Sequence, residues 1–329
     1  MARKVTIYSL QFSDLPLGEV AEKMSAAGYD GLELGTLNHL DVDKAAKSKA
    51  YCEDILELLA EYDLKTWAIG MHCQGQLVCD RYDERHAGLA PKALRKDPKA
   101  MRAWAVKEMK NAAKAAENLG CEVVTGFFGS PVWTYLYSFP PCTPGMIAEG
   151  YKAFAKAVKP ILDVYADCGV KFALEAHPTE IAFDIFSAER TLEAVAGHPA
   201  FGFNYDPSHL GYQGVDYVKF IRTFAERIFH VHVKDAWWGH GDGTIGVFGG
   251  HSEFGDPRRY WDFRSPGHGD IKFEDIIVAL NDIGYRGPLS VEWEDGRMDR
   301  FHGARESLEF VRKIDFAPSE LAFDGAFSK

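Results

Sequence analysis

The chain has 329 residues, 47% hydrophobic, 13% aromatic and 26% charged, a balance that excludes a disordered or fibrous protein and allows a large buried core. Its 37 lysines and arginines face 48 aspartates and glutamates, a net charge of -11, which leaves no overall positive field for nucleic acid or an anionic membrane. No apolar run reaches membrane-spanning length, and the opening MARKVTIYSLQFSDLP lacks the apolar stretch of a signal peptide, so a cytoplasmic protein is expected.

From end to end, short β-rich runs alternate with longer amphipathic segments, the pattern of parallel strands joined by crossover helices. Eight strand candidates follow in order: VTIYSLQF from Val5, GLELG from Gly31, KTWAIGMH from Lys65, CEVVTGFFG from Cys121, KFALEAH from Lys171, FGFNYDPSH from Phe201, IFHVHVKD from Ile228 and PLSVEWED from Pro288. A helical stretch is expected after each. The clearest helices run from about Asp97 to Leu119, Thr143 to Cys168 and Phe273 to Ile283, with apolar residues at spacings of three and four. Gly120 and Gly169 end the first two, as residues able to take the left-handed conformation. The phrases AAGYDGLELG, ENLGCEVVTG, ADCGVKFALE and NDIGYRGPLSVE repeat one order of helix end, glycine, turn and strand.

Eight βα units predict a single α/β domain over 1–329, a (β/α)8 TIM barrel. An open doubly wound sheet is the alternative. It fits less well, because no GxGxxG turn follows the first strand and polar residues gather at the C-terminal ends of several strands. Three long excursions fall on that C-terminal face. QGQLVCDRYDERHAGLAPKALRKDP follows the third strand, GSPVWTYLYSFPPCTPG the fourth, and a Gly- and aromatic-rich loop at about 236–270 the seventh. The last is several times the usual βα connection and reads as an ordered active-site or interface loop. A tail from about 315, including APSELAFDGAFSK, carries apolar residues that would dock on the barrel or a partner. The six cysteines, Cys52, Cys73, Cys79, Cys121, Cys142 and Cys168, are scattered without a CxxC pair, as expected of reduced thiols.

Four consecutive strands end in residues that bind metals: Glu175 in LEAHP, Asp206 in YDPSH, His232 in HVHVKD and Glu292 in SVEWED. Alternate barrel residues face inward, so one ligand from each neighbouring strand end can converge on a point above the core. One such carboxylate alone is more often a cap or an ion-pair partner. Four in register, with Glu175 and Glu292 each between apolar neighbours, are costly to bury without a cation. The oxygen-rich set suits Mn2+, Mg2+ or Co2+. Period-two spacing does not separate Glu292 from Glu294; Glu292 lies deeper in the apolar run. His230 reads as a hydrogen-bonded core histidine below the site. His177 and His209 are substrate contacts or strand-end caps in equal measure. His72, at the end of the third strand, joins them as a substrate-contact candidate. Lys234 would neutralise an oxyanion, although an outward, solvated lysine is the commoner outcome.

The set LEAH, YDPSH, HVHVKD and SVEWED, in this order, resembles the xylose isomerase-like TIM-barrel superfamily of sugar isomerases and epimerases. The resemblance spans nearly the whole chain. It is nearest to the D-tagatose and D-psicose 3-epimerases and the inosose dehydratase and isomerase group. It implies a divalent ion on Glu175, Asp206, His232 and Glu292, with Glu175 and Glu292 also the acid/base pair acting through a cis-enediolate. It implies a substrate contact for His209. The family's arginine after the seventh strand is absent, with Lys234 near its place. The long loop after Asp235 is similar to that of the larger subunit of bacterial C-glycoside deglycosidases, which implies an alternative: a lyase cleaving 3-keto-glycosides by β-elimination with a small partner subunit.

The leading expectation is therefore a metal-dependent isomerase or epimerase of a keto sugar, with the lyase a close second. A homo-oligomer or a hetero-oligomer with a small subunit would be compatible with either. The loop aromatics Trp237, Trp238, Phe248, Phe254, Tyr260, Trp261 and Phe263 would stack on an aryl group or a sugar, or simply pack on one another. An endonuclease of the same barrel type would need further His and carboxylate ligands for several Zn2+ ions and a basic DNA-facing surface, against which the net charge of -11 counts. A non-catalytic sugar-binding barrel would not need the two glutamates.

Overall fold

Eight parallel strands close on themselves: β1 (Val5–Tyr8), β2 (Gly31–Gly35), β3 (Ala68–Gly70), β4 (Val123–Gly126), β5 (Lys171–Glu175), β6 (Phe201–Tyr205), β7 (Ile228–Val233) and, after the two-stranded insert β8 (Asp235–Trp238) and β9 (Trp261–Arg264), β10 (Leu289–Val291). In this computed structural model, which describes residues 2–320 together with Gly325 and Phe327, the ring is sealed where β1 pairs with β10 through Val5–Leu289, Thr6–Ser290 and Ile7–Val291. The expected (β/α)8 TIM barrel is thus the observed architecture, and the open sheet is not.

Alternation along the strands divides their side chains between two environments. Ile7, Leu32, Leu34, Val124, Phe172, Leu174, Phe201, Phe203, Val231 and Val291 join the hydrophobic core under the helices. Thr6, Tyr8, Glu33, Thr125, Asn204, His230, His232 and Ser290 are equally buried, and Thr125, His230, His232 and Ser290 all hydrogen-bond to the Glu33 carboxylate across the barrel axis. A barrel interior is more often filled by branched apolar residues. Here the middle of the barrel is polar.

The helices form where the capping chemistry permits. Asp97 accepts from the Lys99 and Ala100 N–H groups at the start of helix Pro98–Leu119, which ends on Gly120 at φ 70. Thr143 caps Pro144–Asp167 through the Met146 N–H, and Gly169 turns the chain at φ 67. Arg300–Ile314 closes the ring of helices. Just beyond it, Asp315 accepts the Arg3 N–H at 2.6 Å and pairs with its guanidinium, stitching the end of the barrel to its beginning. Of the apolar tail expected to dock, residues 321–324, 326, 328 and 329 lie outside the described residues.

Three expectations give way to the structure. The first strand ends at Tyr8, because Ser9–Phe12 forms a 3-10 turn. The third is confined to Ala68–Gly70, and His72 begins a short helix, His72–Gln76. The seventh strand is not followed directly by a helix. The chain instead forms the antiparallel pair β8/β9, and only then helix Phe273–Asp282. One long-range contact set accounts for it: the Asp235 carboxylate accepts from the N–H groups of Gly267, Gly269 and Ile271 at 2.9, 2.8 and 3.3 Å, drawing the return strand against the outgoing one. Among the described residues, no helix is long and apolar enough to cross a membrane.

Gly70 is dictated by packing. A Cβ there would run into the Tyr8 phenol ring, which lies inside the barrel against His72 and His232. Gly70→Ala is expected to destabilise the fold by about 1–3 kcal/mol through overpacking, read as a lower urea midpoint at unchanged m.

Candidate metal centre

Strands β5, β6, β7 and β10 are consecutive around the barrel, and the chain leaves each pointing at the same spot. Glu175 is the last residue of β5, Asp206 follows β6, His232 lies near the end of β7 and Glu292 follows β10. One ligand atom from each lies within 4.8 Å of the others, and all four residues are buried. Glu294, two residues further and on the same side, instead has a half-exposed side chain and reaches Lys234 at 3.0 Å. Of the two glutamates that period-two spacing leaves open, the structure brings Glu292 into the group.

The electrostatics follow from packing three carboxylates together. Burial works to raise the Glu175 carboxyl, but His209, His232 and His72 outweigh it and hold the group well below its ordinary range. Burial is likewise overcome at Glu292, chiefly by the Lys234 charge, and the carboxyl is held down to about 2. Asp206 goes the other way. Burial, reinforced by the Glu175 and Glu292 charges and only partly relieved by Lys234, pushes it well above the usual carboxylate range. Its Oδ1 accepts the Ser208 N–H at 2.8 Å, but its buried Oδ2 has no hydrogen-bond partner. A third carboxylate that cannot ionise comfortably beside two others, with one oxygen unsatisfied, is what a divalent cation would complete. The donor set of three carboxylates and one imidazole therefore fits such an ion.

His232 is oriented from below by a residue that the sequence reading did not single out. Its Nε2–H donates to Glu33 at 3.0 Å, leaving Nδ1 to face Glu292 at 3.0 Å and Glu175 at 3.2 Å. Glu33 also accepts from His230 Nε2 at 2.9 Å, from the Ser290 hydroxyl at 2.7 Å and from the Thr125 hydroxyl. His230 is thus a bonded core histidine, as expected. The signal for Glu33 was present: it stands between Leu32 and Leu34 in its strand, just as Glu175 and Glu292 stand between apolar residues in theirs.

The remaining candidates line a cavity of about 410 Å³ above this cluster, walled by Phe127, Phe254 and Phe263 with His72, His209 and Lys234. His72 spans Tyr8 and Glu175, with Nδ1 2.9 Å from the phenol and Nε2 3.1 Å from the carboxylate. His209 lies 3.2 Å from Glu175 and 3.3 Å from Asp206, with its ring 4.1 Å from that of His177. Neither ring nitrogen of His209 makes a well-directed hydrogen bond. Lys234 is not the outward lysine that base rates favour: it is 3% exposed. Its ammonium lies 3.3 Å from Glu292 and 4.2 Å from the Phe263 ring centre, because the carboxylates and the aromatic face compensate its burial.

The long loop packs mainly on itself and its neighbours. Trp261 stacks on Tyr212 at 3.8 Å between ring centres, and Phe254 on Phe263 at 5.3 Å. At the mouth, Phe248 of this loop stacks on Tyr137 of the loop after β4 at 4.7 Å.

Comparison with known proteins agrees with this architecture. A family described as xylose isomerase-like TIM barrel matches residues 21–314. The uncharacterised protein YfiH of Bacillus subtilis is 24% identical over 94% of this chain and 98% of its own length. Inosose dehydratase of Clostridium perfringens is 26% identical over 44% of this chain, a match that spans 48% of that enzyme. Among solved structures, D-psicose 3-epimerase with D-tagatose from Clostridium cellulolyticum superposes with a TM-score of 0.63 at 16% identity, over 95% of this chain and 99% of the other.

Two measurements test the site. Glu33→Gln removes a charge that orients His232 without opening a cavity, and is expected to weaken the binding of an added divalent cation about 10–100-fold by calorimetry. The second concerns Glu180, whose carboxylate accepts the Phe128 and Gly129 N–H groups at 3.1 and 2.8 Å at the rim of the barrel. Burial, with the facing Asp80 charge, raises it to about 8; the neighbouring Cys79 thiol is itself raised by burial. The folded state therefore holds this proton more tightly than the unfolded chain. The associated stability is complete below the ordinary glutamate range and is lost as pH rises towards 8. Glu180→Gln should lose less Tm than the parent between pH 5 and pH 9, and an equal loss in both would refute the assignment.

Proposed function

The chain belongs to the xylose isomerase-like TIM barrel family, and from that premise we propose that it is a divalent-metal-dependent sugar isomerase or epimerase acting beside the carbonyl of a keto sugar. The observation that carries the proposal is the pairing of two buried glutamates, Glu175 and Glu292, on the two flanks of Asp206 and His232 beneath one cavity. Glu175, Asp206, His232 and Glu292 would hold the ion, which we assign as Mn2+ with Mg2+ and Co2+ as alternatives. When bound, such an ion draws electron density from a ketone and its neighbouring hydroxyl and acidifies the C–H between them.

The residues of the chain supply the remainder. One glutamate takes the proton from carbon, giving an enediolate, and the other returns a proton to the opposite face, giving the epimer. Return to the neighbouring carbon gives the isomer. Lys234, buried between Glu292 and Glu294, places a positive charge where an oxyanion develops. His209 and His177 present ring nitrogens to substrate hydroxyls, whereas His72, expected as a substrate contact, has both nitrogens engaged by Tyr8 and Glu175 and instead steadies the Glu175 carboxylate. Phe127, Phe254 and Phe263 exclude water and offer faces to the C–H side of a sugar ring.

A second reading keeps the same base and changes what leaves. If a leaving group sits β to the ketone, proton removal is followed by elimination, and the protein is a lyase of keto-glycosides or a dehydratase, with a small partner subunit in the first case. The similarity to inosose dehydratase favours keeping it in view.

The test is NMR of Mn2+-loaded protein in D2O with ketohexoses, 3-keto-glucose and a 3-keto aryl C-glycoside. Deuterium beside the carbonyl together with an epimer or isomer is the expected result, and Glu175→Gln or Glu292→Gln should lower that exchange by about 10²–10⁴-fold. Released aglycone or water would move the assignment to the lyase. Metal binding without exchange in any of these substrates would overturn both.

A further inference from the structure

Beside the cavity above the metal centre lies a second one of about 260 Å³. The two cavities share Gln76, Leu89 and His177 in their walls. The outer one is lined further by Asp80, His86, Thr134 and Thr179, with Arg85 at its edge. We infer that this outer cavity is a subsite for a second, uncharged, hydroxyl-rich ring, so that the substrate is a keto-glycoside of two sugar units rather than a free monosaccharide. The inference rests on the keto-sugar reading above and names the substrate class for that site.

Three observations lead there. The first is the state of the charges. Asp80 is spoken for: it accepts the Ser130 N–H at 2.7 Å, the Gln76 amide at 2.7 Å and His86 Nε2–H at 3.0 Å. That donor assignment for His86 holds because its Nδ1 accepts the Asp83 N–H at 3.0 Å. The Arg85 guanidinium is taken up by Asp83 through contacts of 2.9, 3.1 and 2.6 Å. With an aspartate in the wall and no unpaired cation, the cavity does not suit phosphate or carboxylate. With no Phe, Tyr or Trp in its lining, it does not suit an aryl group either.

The second observation is the supply of free neutral hydrogen-bonding groups. His177 Nδ1–H donates to the Pro178 carbonyl at 2.7 Å, which leaves Nε2 as an acceptor at the junction of the two cavities. The Thr134 and Thr179 hydroxyls make no hydrogen bond to the protein among the described residues. Such a set of donors and acceptors recognises hydroxyls.

The third is the backbone at Thr179. The Glu180 N–H bonds the His177 carbonyl at 2.9 Å, making Pro178 and Thr179 the centre of a turn, and Thr179 sits at φ 76. That position favours glycine, and a β-branched residue there costs about 1–2 kcal/mol. Glu180 pins the turn to the β4 loop through Phe128 and Gly129. Strain held in place at a cavity wall is characteristic of a side chain retained for what it contacts.

The test compares 3-keto-maltose and 3-keto-trehalose with 3-keto-glucose on the full-length, Mn2+-loaded protein, reading Kd by saturation-transfer NMR and exchange in D2O separately. The two-ring ligands are expected to bind more tightly than the single ring. Thr179→Gly, which relieves the backbone, should keep or raise Tm while reducing that preference about threefold to tenfold, the worth of one hydrogen bond. Thr179→Ser should restore it. Equal Kd for one and two rings, or a preference indifferent to Thr179, overturns the subsite even where exchange supports the keto-sugar chemistry. A preference that follows Thr179 while no ligand exchanges deuterium supports the subsite and overturns the chemistry.

Discussion

A single carboxylate on the barrel axis organises everything above it. Glu33, fully buried, would be prohibitively costly as an isolated charge, yet it receives donors from three other strands: Thr125 from β4, His230 and His232 from β7, Ser290 from β10. These bonds cross the interior, so they tie together strands that are not neighbours in the sheet. They also set which nitrogen of His232 is committed to the core and which faces the cavity. A polar middle layer is thereby a structural element in its own right, and the ligand layer one step higher inherits its orientation from it.

The next layer is held from the sides. Tyr8 and His72 form a chain that ends on Glu175, Asn204 donates to the same carboxylate at 2.9 Å, and Lys234 bridges Glu292 to Glu294. Glu175 and Glu292 are thus each met by a donor from another part of the barrel, whereas Asp206 keeps one buried oxygen unsatisfied. Packing and electrostatics act together: Gly70 leaves room for Tyr8, and Tyr8 in turn fixes His72. The expensive desolvation of this cluster is offset only when the whole set is in place.

Much of this was legible in the chain itself, because barrel strands encode two periodicities at once. Alternation identified the strands and the inward positions, and a glutamate between leucine and alanine, as at Glu175, stands out against an apolar run. The same rule applied evenly would have found Glu33. Its signal was weaker because Glu33 lies in the middle of a strand, where no polar loop motif draws attention to it. Lys234 stood among the site candidates, but its burial was not legible in the chain, because it depends on Glu292, Glu294 and Phe263, partners brought together only by the closed barrel. The β8/β9 pair was hidden for a similar cause. What makes it is one aspartate, Asp235, gathering N–H groups some thirty residues away, and no local propensity announces that. The strained turn at Thr179 is invisible to composition, since threonine is an unremarkable residue until its backbone angle is known.

The closed neck formed by β8 and β9 has an evolutionary consequence. Because Asp235 and the strand pairing clamp both ends of the insert, the chain between them is, in entropy terms, a loop already closed on rigid posts, and lengthening such a loop costs little. Residues 239–260 can therefore be exchanged, shortened or extended with the ladder and the barrel intact. That makes this segment the natural place for related chains to diverge in what they admit to the cavity, while the carboxylates and histidines beneath remain in register.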